Sequence, residues 1–64
     1  MSLMKVRDLL KRLHEDGWRL RNTEGSHRQL IHNRKPGKVT VNGHLSEEVA
    51  PGTLKSIMKQ AGLR

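Results

Sequence analysis

The chain has 64 residues, a formal net charge of +7 and no cysteine, which leaves room for one small domain and excludes disulfides and thiolate metal sites. Domains of this size have a free energy of unfolding of only a few kcal/mol. Net charge indicates which partners a protein binds and says little about how its core packs. The excess of basic residues therefore indicates an anionic partner, either a nucleic-acid backbone or an acidic protein surface.

Membrane and secretory segments are not expected. No apolar run approaches the ~20 residues of a spanning helix, and residues 1–6 lack the apolar region of a signal peptide. We therefore expect no membrane partner and a cytoplasmic location. Met1-Ser2-Leu3 stands ahead of a second methionine, Met4, and is interpreted as a cloning remnant, which leaves residues 4–64 as a single domain.

Two amphipathic helices are predicted, one at each end of the chain. From Met4 to Asp16 apolar residues recur at i, i+3, i+4 and i+7, and Gly17 supplies the left-handed residue that ends such a helix. Pro51 suits the first turn of the second helix, which Gly62 closes. The apolar positions are Val6, Leu9, Leu10 and Leu13 in the first helix, and Leu54, Ile57, Met58 and Ala61 in the second.

Three strands are predicted between the helices. Residues 18–21 alternate apolar and basic side chains, with Trp18 and Leu20 toward the helices, whereas residues 22–25 have turn chemistry. The second strand runs roughly over residues 26–32, and the third over residues 38–41 with both valines inward. The order α-β-β-β-α predicts an α+β fold, with both helices on one face of a three-stranded antiparallel sheet and the other face open.

Leu30 and Ile31 are adjacent in the second strand, so they must point to opposite faces of the sheet. If Leu30 is the inward residue, His27, Gln29 and Ile31 lie on the outer face. The pattern alone does not choose between the two arrangements.

Gly25-Ser26-His27 is the candidate catalytic motif. Gly25 and Ser26 make a tight entry into the second strand, and His27 stands at its start. An imidazole changes protonation near neutral pH, so it can take the proton of a ribose 2′-hydroxyl or protonate a leaving oxygen. Most histidines beside a turn are simply polar surface residues, and the cationic surroundings of this one favour the chemical role.

His32 and His44 are the other histidines considered for chemistry. With His27 they could form a metal triad, but no carboxylate or thiol lies at ligand spacing, so no metal and no other cofactor is expected. Either could be a second acid–base group. His44 is the better candidate because it leaves the end of a strand in a loop.

A set of basic residues with few acidic neighbours in the sequence is expected to contact RNA. Charge runs are usually solvated faces, but this imbalance favours contacts with phosphates. Exposed stacking aromatics are missing, which disfavours a sequence-reading platform for single strands. The predicted RNA-binding residues are Arg19, Arg21, Arg28, Arg34, Lys35, Lys38, Lys55 and Lys59.

Four motifs occur in a fixed order along residues 4–64. They are Val6-Arg7-Asp8-Leu9-Leu10, Gly17-Trp18, Gly25-Ser26-His27, and Pro51-Gly52-Thr53-Leu54-Lys55-Ser56-Ile57 with Lys59-Gln60-Ala61-Gly62. Taken together at this length, they resemble the HicA toxins, a family of small RNA-cleaving proteins from bacterial toxin–antitoxin pairs.

The resemblance implies a fold like that of double-stranded-RNA-binding domains and an mRNA endonuclease whose essential histidine is that of the Gly-Ser-His motif, here His27. It also implies a HicB antitoxin that binds the toxin and covers the active site, giving a hetero-oligomer. Family members commonly have a polar residue at the position of Ile31, which favours Leu30 as the inward residue. They often follow the third strand with Pro-x-His, where this chain has Asn42-Gly43-His44 and so keeps the histidine but loses the proline.

We therefore expect a metal-independent endoribonuclease (an mRNA interferase). His27 would be the general acid or base in attack of a ribose 2′-oxygen on the adjacent phosphate, with Gly25, Ser26 and His44 as active-site support. Two alternatives remain: a non-catalytic RNA-binding module that reads A-form shape, and a protein-interaction domain whose positive surface meets an acidic partner. Only the nuclease would lose its function on substitution of His27, and the interaction domain would show no RNA affinity beyond the salt-labile background.

Overall fold

A computed structural model of the chain describes residues 4–63. The elements in chain order are α1 (Val6–Glu15), β1 (Trp18–Glu24), β2 (His27–His32), β3 (Val39–Val41) and α2 (Pro51–Gln60). The strands form one antiparallel sheet in the order β1-β2-β3. The predicted α+β class and α-β-β-β-α order are thereby confirmed. The interpretation of residues 1–3 as a remnant falls outside the described residues.

One hydrophobic core joins the two helices to one face of the sheet. Inward strand residues alternate with exposed ones such as Arg19 and Thr40, as expected for a sheet covered on one side. Each large side chain so buried contributes about 1.5–3 kcal/mol. The core residues are Val6, Leu9, Leu13, Trp18, Leu30, Val39, Val41, Val49, Ile57 and Ala61.

Leu20 departs from the expected burial. It lies on the helix side of β1, beside Leu10, Trp18 and Leu30, but 58% of its surface is exposed. β1 is an edge strand of the sheet. Along it Trp18 is fully buried in the core, and Leu20 lies at the rim.

The first helix begins at Val6, two residues after Met4, where the predicted helical segment starts. Met4 and Lys5 instead pair with the segment ahead of α2: Lys5 forms a β-bridge with Glu48, and the Val49 N–H donates to the Met4 carbonyl at 2.8 Å. Pairing with a segment distant in sequence therefore overrides the local helical pattern at Met4 and Lys5. Gly17, with φ +105°, ends the helix as predicted.

The β1–β2 hairpin is tighter than the turn chemistry of residues 22–25 predicts. β1 continues to Glu24, which pairs with His27, so the loop contains just Gly25 and Ser26. Gly25 has φ +57° at the first loop position, as a type II′ turn requires. The register shifts between Leu20 and Asn22, which leaves Arg21 as the extra residue of a β-bulge.

Candidate functional site

The sheet face opposite the helices carries His27. Leu30 is 4% exposed, so alternation along β2 sends His27, Gln29 and Ile31 to the other face. This resolves the ambiguity between Leu30 and Ile31. Their strand partners face the same way through the antiparallel register. We call this surface the outer sheet face; it consists of Arg19, Asn22, Glu24, His27, Gln29, Ile31 and Thr40.

His27 is exposed at the start of β2, and its ring is held by one hydrogen bond. Its Nδ1 lies 2.7 Å from Oδ1 of Asn42, the residue that directly follows β3. Within residues 4–63 the His27 ring makes no other hydrogen bond, so Nε2 is open to a substrate. The sequence analysis did not single out Asn42.

Gly25 and Ser26 support this site through the backbone. They form the hairpin loop that precedes His27, and the Ser26 carbonyl accepts a hydrogen bond from the Gly43 N–H at 3.2 Å. Nη1 of Arg28 also binds this region, 2.7 Å from the Gly43 carbonyl and 3.4 Å from the Ser26 carbonyl. Arg28 is half-buried and, by alternation, lies on the face opposite His27, so it ties the Asn42-Gly43 segment to the start of β2.

His44 does not join His27. Its side chain is 82% exposed, and its Nε2 lies 3.9 Å from Oε1 of Glu47. Its backbone N–H donates to the same carboxylate oxygen at 3.0 Å. Among the described residues no hydrogen bond links His44 to His27, so a role in proton transfer has no contact to support it here.

His32 lies at the far end of β2 and has a structural environment. Its Nε2–H donates to the Asp16 carbonyl at 2.6 Å, and its Nδ1 accepts the N–H groups of Arg34 at 2.9 Å and Lys35 at 3.2 Å. The ring also stands edge-on to Trp18, with centroids 5.3 Å apart. Because both ring nitrogens are occupied and the side chain is 9% exposed, His32 has no free nitrogen for acid–base chemistry.

Lys35 connects the ends of the two helices. Its Nζ donates to Oδ2 of Asp16 at 2.6 Å and to the Ala61 carbonyl at 2.9 Å. The hydrogen bond from Lys35 is the main cause that lowers the pKa of Asp16; its positive charge adds to this lowering, and burial of the carboxylate opposes it. The charge of Lys35 is therefore directed into the protein, unlike the RNA-facing role expected for it.

Apart from Lys35 and the half-buried Arg28, the predicted RNA-binding residues are exposed but do not surround His27. Arg19 and Arg34 line one surface hollow of about 450 Å³ beside His32. Arg19 is paired with Ile31, four residues from His27, which is about 13 Å along a strand. The nearest charged partner of His27 in the sheet is instead the acidic Glu24. The remaining exposed residues are Arg21 in the β-bulge, Lys38 before β3, and Lys55 and Lys59 on α2.

These features define a class of protein: a small α+β domain whose open sheet face presents a histidine next to a tight hairpin loop. The family described as HicA toxin of bacterial toxin-antitoxin matches residues 6–63, and the chain belongs to it. The protein is therefore the toxin of a toxin–antitoxin system, and its partner is an antitoxin. The comparison with curated proteins gave no match.

Two further observations concern residues 4–63. Neither helix within residues 4–63 is long and apolar enough to cross a membrane. In the same range, no three histidine, aspartate or glutamate side chains gather closely enough to hold a metal ion.

Proposed function

We propose that this toxin is a metal-independent mRNA endonuclease in which His27 performs the acid–base chemistry. The observation that carries the proposal is an exposed histidine in the Gly-Ser-His motif of a HicA family member, with Nδ1 held by Asn42 and Nε2 open on the outer sheet face. An imidazole with one anchored and one open nitrogen is a suitable proton acceptor near neutral pH.

The proposed reaction is transfer of a phosphodiester within one strand of RNA. Nε2 of His27 takes the proton of a ribose 2′-hydroxyl, and the 2′-oxygen attacks the adjacent phosphorus. The bond from phosphorus to the 5′-oxygen breaks, and that oxygen takes a proton from water. The products are a 2′,3′-cyclic phosphate and a 5′-hydroxyl, and the imidazolium returns its proton to solvent.

The RNA is proposed to run along the outer sheet face from Arg19 to His27. The distance of about 13 Å along β2 is the length of a short stretch of single-stranded RNA. The outer sheet face contains no Phe, Tyr or Trp ring for stacking, so contacts to phosphates and 2′-hydroxyls dominate. Such contacts position an RNA and carry little sequence information, so cleavage would have modest sequence preference.

The cognate HicB-like antitoxin is proposed to cover the same face in the hetero-oligomer. Membership of the family implies that the partner is an antitoxin. Ile31 is a half-buried apolar side chain amid polar residues of this face, and a protein surface could bury it where an RNA backbone gains little. An antitoxin seated there would inhibit cleavage by excluding RNA from His27.

The test is cleavage of an RNA transcript by purified protein, with and without EDTA, and with analysis of the product ends. We compare wild type with His27→Ala and with His14→Ala, a matched control because His14 is an exposed histidine on α1 away from the sheet face. We expect wild type and His14→Ala to produce cyclic phosphate ends in EDTA. Removal of the proton acceptor should slow His27→Ala by about 10²–10⁴-fold.

Three results would contradict the proposal. Loss of activity in EDTA would exclude the metal-independent reaction. Equal cleavage by His27→Ala would exclude His27 as the acid–base group. Equal RNA binding by all three proteins without cleavage by any would show an RNA-binding module in place of a nuclease.

A further inference from the structure

We infer that Asn42 is a positioning residue that fixes the proton of the His27 ring on Nδ1 and so keeps Nε2 as the proton acceptor. The inference rests on the proposed nuclease function and adds a residue to it. It starts from the 2.7 Å contact between Oδ1 of Asn42 and Nδ1 of His27. An amide oxygen can accept a hydrogen bond but cannot donate one, so the ring nitrogen that faces it must carry the hydrogen.

The consequence for chemistry follows from the neutral imidazole having one hydrogen on its two nitrogens. When Nδ1 holds that hydrogen, Nε2 has a free lone pair and can take the 2′-hydroxyl proton. In the opposite tautomer, Nε2–H would face the substrate and could not accept a proton. The hydrogen bond made by one ring nitrogen therefore decides whether the other can act as a base.

The backbone around Asn42 is held on both sides, which makes the carboxamide a fixed acceptor. On one side, Val41 is buried and paired with Arg28 in the sheet. On the other, the Gly43 N–H donates to the Ser26 carbonyl at 3.2 Å, and the Gly43 carbonyl accepts from Nη1 of Arg28 at 2.7 Å. These contacts continue the β2–β3 pairing by two residues and place Asn42 directly beside His27.

Gly43 allows the chain to turn away immediately after this contact. Its φ is +102°, a backbone angle that residues with a Cβ rarely adopt. A Cβ there would also lie 3.4 Å from Oε2 of Glu47 and 3.5 Å from Cγ2 of Val6. Asn42 thus supplies a side chain that accepts a hydrogen bond, and Gly43 lets the backbone turn sharply away from the sheet.

The first test is spectroscopic and does not depend on cleavage. Nitrogen-15 NMR of the histidine rings, recorded at a pH high enough for them to be neutral, distinguishes a protonated ring nitrogen from an unprotonated one. The His27 signals are assigned by their loss in His27→Ala. We expect Nδ1–H in wild type and in Asn42→Asp, which keeps an accepting oxygen, and a mixture of tautomers in Asn42→Leu, which has a similar size and no acceptor.

The second test is the cleavage rate of the same proteins on a single-stranded RNA oligonucleotide. We expect Asn42→Leu and Asn42→Ala to lose about 10–100-fold, less than the ~10⁴-fold seen when a triad histidine is held in the wrong tautomer, because both tautomers stay accessible. Asn42→Asp should retain most of the activity. Asn33→Ala is the matched control, since Asn33 is an exposed asparagine in the β2–β3 connection, and it should cleave as wild type does.

Each outcome supports or overturns the inference. Nε2–H in wild type His27, or full cleavage by a folded Asn42→Leu, overturns it. Circular dichroism shows whether the variants are folded, and because Asn42 is exposed we expect them to be. If wild type shows Nδ1–H that Asn42→Leu loses but cleaves no RNA, the hydrogen bond is upheld and the nuclease function itself is rejected.

Discussion

His27 and His32 begin and end the same strand, β2, yet their rings have opposite surroundings. His27 is exposed, and its ring has one partner, the side chain of Asn42. His32 is packed against Trp18, and its ring nitrogens bind three backbone groups. Backbone partners on both nitrogens leave the His32 ring no nitrogen free to face a substrate, whereas a single side-chain partner leaves one nitrogen of His27 open.

The comparison shows two different environments for one residue type in a very small domain. At the His32 end, the ring packs against Trp18 of the core. It also makes hydrogen bonds with backbone groups where α1 ends and where the β2–β3 connection begins. At the His27 end, the backbone is already satisfied by a two-residue hairpin loop, so the side chain is free for chemistry. Residue identity alone therefore says less about function than the number of ring nitrogens already bonded.

Among the variants that test this comparison, His32→Ala is expected to have the largest effect, a loss of stability. The substitution removes the ring packed on Trp18 and leaves the Asp16 carbonyl and two N–H groups without their partner, which we expect to lower the free energy of unfolding by about 3 kcal/mol. Chemical denaturation measures this change. His27→Ala is the control and should stay within about 0.5 kcal/mol of wild type. Equal destabilisation by the two substitutions would remove the distinction between the two ends of β2.

Gly17→Ala should have the next largest effect, again at the His32 end. A Cβ at this position would lie 2.7 Å from Nε2 of His32, in a residue whose φ is +105°. The left-handed strain and the displaced ring together should lower the free energy of unfolding by about 2 kcal/mol or more. Gly25→Ala has the same kind of backbone strain, at φ +57°, but no atom within 4 Å of the added Cβ. It should therefore be the milder change in the same denaturation experiment.

The ion pair of Asp16 and Lys35 should give the His32 end a pH dependence. The pKa of Asp16 is lowered in the folded protein, chiefly by the hydrogen bond from Lys35. A lowered folded-state pKa means that the stabilisation is present above the ordinary value of 3.8 and is lost as the pH falls through the folded value. Asp16→Asn should therefore melt below wild type at neutral pH, and the two melting temperatures should converge in acid. A constant difference at all pH values would contradict this account.

The smallest effect is expected from Arg19→Ala, on RNA binding alone. Arg19 is an exposed cation of the outer sheet face. Loss of one phosphate contact should reduce the slope of log affinity against log salt by about 0.7 for a single strand. The measurement is a salt titration of RNA binding with His27→Ala as background, so that no cleavage interferes. Arg12→Ala, on the exposed side of α1, should leave the slope unchanged.

The elements of the fold were predictable because their signals are local. Apolar spacing placed both helices, Gly17 marked the end of the first, and the valines of β3 are inward as expected. The errors lie where distant segments pair. Residues 22–24 have turn-forming side chains but join β1, since pairing with β2 satisfies their backbone, and Met4 and Lys5 leave the helix to pair ahead of α2.

The sequence offered His27 as the candidate histidine, which stays a prediction, but it did not offer the side chains that contact the candidate histidines. His27 follows from Gly-Ser-His, a contiguous motif. Its contact with Asn42 spans 15 positions in the chain and depends on the β2–β3 register. The sequence analysis noted Asn42 only as the place where this chain lacks the proline often found in the family. Lys35 likewise pairs with Asp16 across 19 positions. If the sequence analysis had predicted that Val41 pairs with Arg28, the same antiparallel register would have placed Asn42 next to His27.

The two-residue loop between β1 and β2 has a consequence for how this toxin can vary in evolution. Exposed loops usually tolerate insertions and deletions. Here the loop joins Glu24 directly to His27, and strand faces alternate with every residue. If the two-residue turn were kept, one residue more or less would shift the β1–β2 register by one position, turn the imidazole toward the helices and bring Arg28 to the open face. Active relatives are thus expected to vary in the composition of this loop and to keep its length.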